Sequence, residues 1–248
     1  MAINVLLAFM IIVAFLASIV LHEYAHAVVA YWLGDRTPQA EGRQTLSLRA
    51  HVDPVGLLMC VILAFQPIGA GPIGLGWGKP VKPDPWKLRP GANVGVLLVS
   101  LAGPLFNLII GIVTAIVIRF SGAFLFTNNP ITPHILQFLV VFACTNIALV
   151  LLNLLPIYPL DGYQILYTLL PSKQAVQFAR SAPYGPFIIL IIFFLVPFLA
   201  TLAGLGGFPL FFPANLILQG AASVVALVLG GPFPNALQTI LNLYLVLR

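Results

Sequence analysis

"SIVLHEYAHAVVAYWLGD", residues Ser18 to Asp35, sets two histidines and a glutamate in a run otherwise apolar enough to cross a bilayer. Ionisable side chains are expensive in hydrocarbon, and those found there mark function by default. His22-Glu23-Tyr24-Ala25-His26 has the form H-E-x-x-H. On a helix the i, i+4 spacing puts both imidazoles on one face, where they can share a single Zn²⁺. Glu23 stands beside them, placed to deprotonate a metal-activated water. Two helix histidines satisfied by neighbours are the bland alternative, but the chain has only four histidines in all. Ala27–Leu33 continues the helix by about two turns, roughly 10 Å at 1.5 Å per residue. The metal is therefore expected below the membrane surface.

Outward from this motif, the composition names the solvent. Of 248 residues, 60% are hydrophobic and 7% charged, against about a quarter charged in a soluble domain. Several apolar runs reach the roughly 18–20 residues that span hydrocarbon. The chain is expected to be a multi-pass protein of the cell membrane, one membrane-embedded domain over 1–248. Its catalytic core would cover about 3–170, with additional spans at about 187–230. The first run has no basic leader and no small-residue cleavage site, so it reads as a retained helix rather than a signal peptide. The net charge is +5, but the basic residues fall in short loops. There they set topology and meet lipid headgroups, not nucleic acid. Cys60 and Cys144 lie in apolar stretches without metal-knuckle spacing and read as reduced packing residues.

Along the chain, Ile3 to about Leu33 reads as one helix, stopped by Gly34-Asp35. In the polar segment Arg36–Asp53, "TLSLRAHV" sets Leu46, Leu48, Ala50 and Val52 against Thr45, Ser47, Arg49 and His51. That period of two predicts a strand over 45–52, an open edge able to pair with an extended substrate. Val55–Ala70 is apolar but only about sixteen residues long, short of a comfortable span. Val94–Ile118 and Ile135–Leu155 read as spans, and "NLLPIYPLDG" then breaks the chain at Asn153–Gly162. Tyr163–Leu170 is a short helix, Phe187–Ala203 and Leu210–Leu229 are further spans, and Ala236–Leu247 is an amphipathic or interfacial tail. If Val55–Ala70 dips into the membrane and returns, every Lys and Arg except Arg119 shares one side. If it crosses, the basic loops split between both faces, against the positive-inside rule. The expected architecture is an all-α polytopic helical bundle with a small β element and a re-entrant segment near the active site. The N-terminus would lie outside and the basic loops, with the active site, toward the cytoplasm.

Zinc in a catalytic site takes three protein ligands and leaves a position for water. Glu41 is conceivable as the third but sits in the polar loop. Asp161 is the better candidate, because in the re-entrant topology it returns to the side of the His22 helix. Its bland reading is an N-cap for the following helix, which does not exclude ligation. Asn107 can be a structural hydrogen-bonding residue or a catalytic one. His51 is expected to be solvated or headgroup-facing, and His134 interfacial. Gly71, Gly74, Gly76 and Gly78 allow close backbone approach.

"HEYAH", "AGPLFN" at Ala102–Asn107 and "NLLPIYPLDG" together resemble the site-2 protease family of intramembrane zinc metalloproteases, in its compact members without PDZ or CBS domains. The resemblance covers about residues 18 to 170. It implies zinc bound by His22, His26 and Asp161, with Glu23 as the catalytic base and Asn153 helping to hold substrate or oxyanion. It also implies hydrolysis of peptide bonds in transmembrane protein substrates within the lipid bilayer. The rival from a different class is a polytopic transporter or metal-ion channel with an intramembrane zinc site. A second rival is an inactive relative that binds membrane helices as a scaffold.

Overall fold

The computed structural model describes residues 4–65, 72–125, 131–206, 208–230 and 235–245. Asn4 opens the first helix, α1 (Val5–Trp32), by accepting the Leu7 N–H on its side-chain oxygen at 3.0 Å. Gly34, at φ +106°, turns the chain out of it, a conformation that costs glycine little. Two single-turn helices follow, α2 (Thr37–Ala40) and α3 (Leu48–His51), then α4 (Pro54–Phe65) and α5 (Ala92–Leu125). After α6 (Thr132–Asn153) come α7 (Asp161–Leu169), α8 (Ser172–Ala179) and α9 (Gly185–Leu190). A π segment at Ile191–Leu195 leads into α10 (Val196–Leu202), and α11 (Pro213–Leu229) and α12 (Asn235–Leu245) follow.

Among the described residues, four helical stretches are long and apolar enough to cross a membrane: Val5–Trp32, Ala92–Ser121, Thr132–Asn153 and Ser172–Leu202. α5 packs against both α1 and α6, and α11 and α12 close over α6. One apolar cluster joins Ile11 and Phe15 of α1, Met59 and Leu63 of α4, Val140 of α6, Val225 of α11 and Ile240 of α12. Phe9, Ile109 and Phe120 stay on the outside. In a bilayer that costs nothing, since lipid tails are as apolar as leucine. The protein is an all-α polytopic membrane bundle.

The expected strand over 45–52 is absent. Leu48–His51 form a helical turn, and the β pairing among the described residues is a single bridge, Val52 to Gly78. A strand needs a partner for its ladder, and alternation alone does not supply one. Here the backbone is satisfied locally instead, with the Val52 N–H on the Leu48 carbonyl at 2.9 Å. The burial does not alternate either, since Ser47 and Arg49 are exposed along with the leucines. Leu46 and Leu48 are exposed, while Arg43 and His51 are buried. The open-edge reading of this segment goes with the strand.

The re-entrant expectation fares better. α4 has 12 residues, and the chain comes back to its start. Val52 bridges antiparallel to Gly78, and the Lys79 N–H donates to the His51 carbonyl at 2.7 Å. The two ends of the excursion therefore lie side by side. Residues 66–71, which include part of Val55–Ala70 and Gly71, fall outside the described residues. Of the two expectations for the tail, the amphipathic one describes α12, which packs one face onto the bundle. α12 buries Ile240 and Tyr244, and the Gln137 side-chain amide donates to the Tyr244 carbonyl at 3.2 Å.

Candidate metal centre

α1 carries His22 and His26 one turn apart, both buried, facing α5. The loop after α6 brings in the third group: Asp161 opens α7, which packs on α5. Leu160, not Asp161, occupies the N-cap position, and the cap makes no side-chain hydrogen bond. The Asp161 carboxylate turns to the histidines. Its Oδ2 lies 3.0 Å from His22 Nε2 and its Oδ1 3.2 Å from His26 Nε2. The two ring nitrogens are 3.1 Å apart.

Proton placement decides what such a cluster can do. His26 Nδ1 is 2.6 Å from the Val99 carbonyl oxygen. A carbonyl only accepts, so Nδ1 carries a hydrogen, and in the neutral ring that metal binding requires Nε2 keeps its lone pair. Nε2 then points a lone pair at another ring nitrogen and a carboxylate oxygen, an arrangement that calls for a cation at its centre. Tetrahedral zinc with bonds of about 2.0–2.1 Å sets its ligand atoms about 3.3 Å apart, near the separations seen here. Two imidazoles and one carboxylate are also a donor set of catalytic zinc. The residues present fit the ion. Gly103 of α5 closes the wall beside them, and a Cβ at that position would overlap Nε2 of both histidines.

Glu23 is buried next to this group, its Oε2 accepting the Val81 N–H at 3.3 Å. Gly78 passes so close that a Cβ there would strike the Glu23 carboxylate. Asn153, the last residue of α6, is buried and donates through Nδ2 to the Leu149 carbonyl at 3.0 Å. His22, Glu23, His26, Asn153 and Asp161 all line one cavity of about 270 Å³. Glu41 is exposed and takes no part. Asn107 is buried one turn along α5 from Gly103, off the cavity wall, with no side-chain partner among the described residues. His134 starts α6 at its far end.

His51 corrects its expectation. It is fully buried, not solvated, and donates from Nε2 to the Thr45 carbonyl at 2.6 Å. Burial holds its pKa below the ordinary histidine value. Asp35 is also buried. Burial alone would raise its carboxyl pKa, but hydrogen bonds from Thr37 and the Asp84 N–H hold it below the usual range. Sequence reading missed Val99, Gly103, Val81 and Arg43. Of these only Gly103, inside the "AGPLFN" motif, carried any signal.

A family model described as Peptidase family M50 matches residues 123–196, a stretch that contains Asn153 and Asp161 but not the His22 helix. The chain is similar to proteins named "Putative zinc metalloprotease". YwhC of Bacillus subtilis is 31% identical over 188 residues, 75% of this chain and 80% of that protein. Rip2 of Mycobacterium tuberculosis is 32% identical over 196 residues, 79% of this chain and 69% of that protein. No solved structure matches the chain.

Proposed function

The chain belongs to peptidase family M50, and from that premise we propose that Glu23 is the general base of a hydrolysis at zinc held by His22, His26 and Asp161. The protein is a membrane-embedded zinc metalloprotease. One observation carries the assignment of roles: the convergence of three donor atoms beside a buried glutamate. Zinc at such a set polarises a carbonyl and lowers the pKa of water.

The chain's own groups do the rest. The Val99 carbonyl fixes the tautomer and orientation of His26, the outer-shell service that metal-binding histidines usually receive. Glu23 takes a proton from the attacking water and passes it to the departing amine. The Val81 N–H holds one carboxylate oxygen and leaves the other for that transfer. Asn153 has one amide hydrogen tied to Leu149 and a second free to hold the substrate backbone or oxyanion. The substrate is a transmembrane segment of another protein. An intact helix sets its side chains around the backbone in a cylinder about 10–12 Å across, which keeps a scissile carbonyl from the metal ligands. It also keeps its amides hydrogen-bonded. The segment must therefore unwind before attack, so helix-breaking residues are expected near the cleaved bond.

The active site faces the cytoplasmic side of the cell membrane. The charge bias supports this, as do the exposed Trp32 and Trp86, which stand where aromatic residues mark the headgroup level. His26 lies six residues inside Trp32, about 9 Å deeper at 1.5 Å per residue. The chain works as one domain, since helices from both halves share one apolar cluster. The transporter reading gains nothing from relatives named as metalloproteases.

Glu23→Gln tests the assignment. The variant should insert and hold zinc while its cleavage of a reconstituted transmembrane peptide falls by about 10²–10⁴-fold, the usual share of a positioned acid–base group. His22→Ala should lose both metal and cleavage. Full proteolysis by Glu23→Gln with zinc bound would overturn the mechanism. A transporter would instead show altered ion flux and no proteolysis to lose.

A further inference from the structure

Residues 78–84 pass along the metal cavity without forming helix or sheet beyond the Gly78 bridge, up to a 3-10 turn at Pro85–Lys87, and Pro80, Val81, Lys82, Pro83 and Pro85 line the cavity. Three prolines leave this strap without N–H groups at positions 80, 83 and 85, so a regular ladder cannot hold it. Three of its remaining donors reach separate anchors. The Lys79 N–H goes to the His51 carbonyl at 2.7 Å, Val81 to Glu23 Oε2 at 3.3 Å, and Asp84 to Asp35 Oδ2 at 2.7 Å.

The acceptors at the Glu23 end converge on one side chain. Arg43, 5% exposed, donates from Nη2 to the carbonyls of Lys79 at 2.5 Å and Pro80 at 2.8 Å, and from Nη1 to the Ala50 carbonyl. A buried guanidinium is costly unless its donors are matched. Among the described residues no carboxylate lies within ion-pair distance of Arg43. Its partners are peptide carbonyls alone, two of them on the strap. A lone loop-closing role would need only the Ala50 bond. The bonds to Lys79 and Pro80 instead fix the two residues that precede the donor to Glu23.

We propose that Arg43 is a positioning residue for the hydrolysis: its fork on the Lys79 and Pro80 carbonyls holds the Val81 N–H against the Glu23 carboxylate. The inference rests on Glu23 as the base and adds what keeps that base in place. Free to rotate, Glu23 would meet the attacking water in only part of its conformations, and a misplacement of about 1 Å can cost about 10²-fold in rate. Lysine cannot replace the fork, because its ammonium is a point donor.

The full-length protein in nanodiscs, with a model transmembrane peptide carrying a Gly-Pro break as substrate, provides the test. In Arg43→Gln, kcat should fall about 10²-fold with KM and bound zinc unchanged. Amide exchange at Lys79 and Val81 should accelerate while the His22–His26 amides stay protected. Arg43→Lys keeps the charge and should give an intermediate loss. If Arg43→Gln does not fold, Arg43→Lys carries the same measurements. Unchanged kcat in the folded variants overturns the proposal, as does unchanged exchange at Val81. So does loss of zinc together with activity, which would assign Arg43 to the metal site or the fold. Faster exchange at Val81 with kcat intact overturns the positioning role and leaves Glu23 as base untouched. Activity in Glu23→Gln would overturn the base without altering the exchange result.

Discussion

His26 is bound at both ring nitrogens, and each end answers to a different part of the chain. Nδ1 is fixed by the Val99 carbonyl, while Nε2 meets His22 and Asp161. The motif spacing within α1 was enough to place His22, Glu23 and His26 together. It could not reveal Val99 or Gly103, more than seventy residues away, because contacts of that kind exist only after packing. Asp161→Asn keeps the shape of the proposed third ligand but removes its charge. Zinc affinity, read by competition with a chelator, should fall by more than the roughly 10–100-fold typical of an outer-shell change. Glu41→Gln, on the exposed end of α2, should leave it unaltered. Equal zinc retention in the two variants would leave the site without its carboxylate. Gly103→Ala pushes a methyl group into both imidazoles. It should cost about 1–3 kcal/mol of stability, as overpacking does, and strip zinc from the purified protein. A variant that holds zinc normally would show that α5 can move away from the histidines.

The segment between α1 and α4 is the element that sequence patterning misread. Its alternation over 45–52 was real, but the leucines that should have faced a core point outward. The polar Arg43 and His51 turn inward to peptide carbonyls. Hydrogen-bond demand of the neighbouring strap outweighed the apolar pattern. His51 gives this element a pH dependence with a defined sign. Its Nε2 hydrogen is already donated to Thr45, and Nδ1 is buried with no partner among the described residues. A second proton would have nowhere to go, so burial lowers the folded pKa from the ordinary 6.5. The unfolded segment takes up that proton below about pH 6.5 and the folded one does not, so stability is full above this value and falls as pH drops through it. Cleavage between Arg43 and Arg49 by an added protease should therefore rise below that pH. The ratio of wild type to His51→Asn at each pH cancels the protease's own profile. A ratio flat from pH 7 to about pH 5 would show that His51 does not titrate in opening.

For the molecule as a whole, the membrane and the bundle impose different demands. The Val52–Gly78 bridge sets the two ends of residues 53–77 side by side, and the strap, α7 and the C-terminal end of α1 share one end of the bundle. Arg119 lies toward the other end of α5, bonded to the Val228 carbonyl. With Cys60 and Cys144 replaced, single cysteines at 84 and 173 should label from the cytoplasmic face of intact cells and one at 134 from outside. Labelling of 84 from outside would show that residues 53–77 cross, and 173 would then label from outside with it, because α5 and α6 return the chain to the same face. α11 and α12 contribute Ala222, Val225 and Tyr244 to the common core. Deleting 213–248 should therefore lower the thermal transition of the membrane-embedded protein and not merely shorten it; an unchanged transition would make these helices an independent appendage. Hydropathy and helical period, both properties of neighbours in the chain, were enough to determine the membrane bundle, the His22–His26 face and the place of Asp161 at a break after a span. Which carbonyl orients His26, which glycine admits the zinc wall and which arginine fastens the strap were decided only in the tertiary structure. Each is a contact between distant segments, and a buried polar group takes whatever partner packing brings within reach.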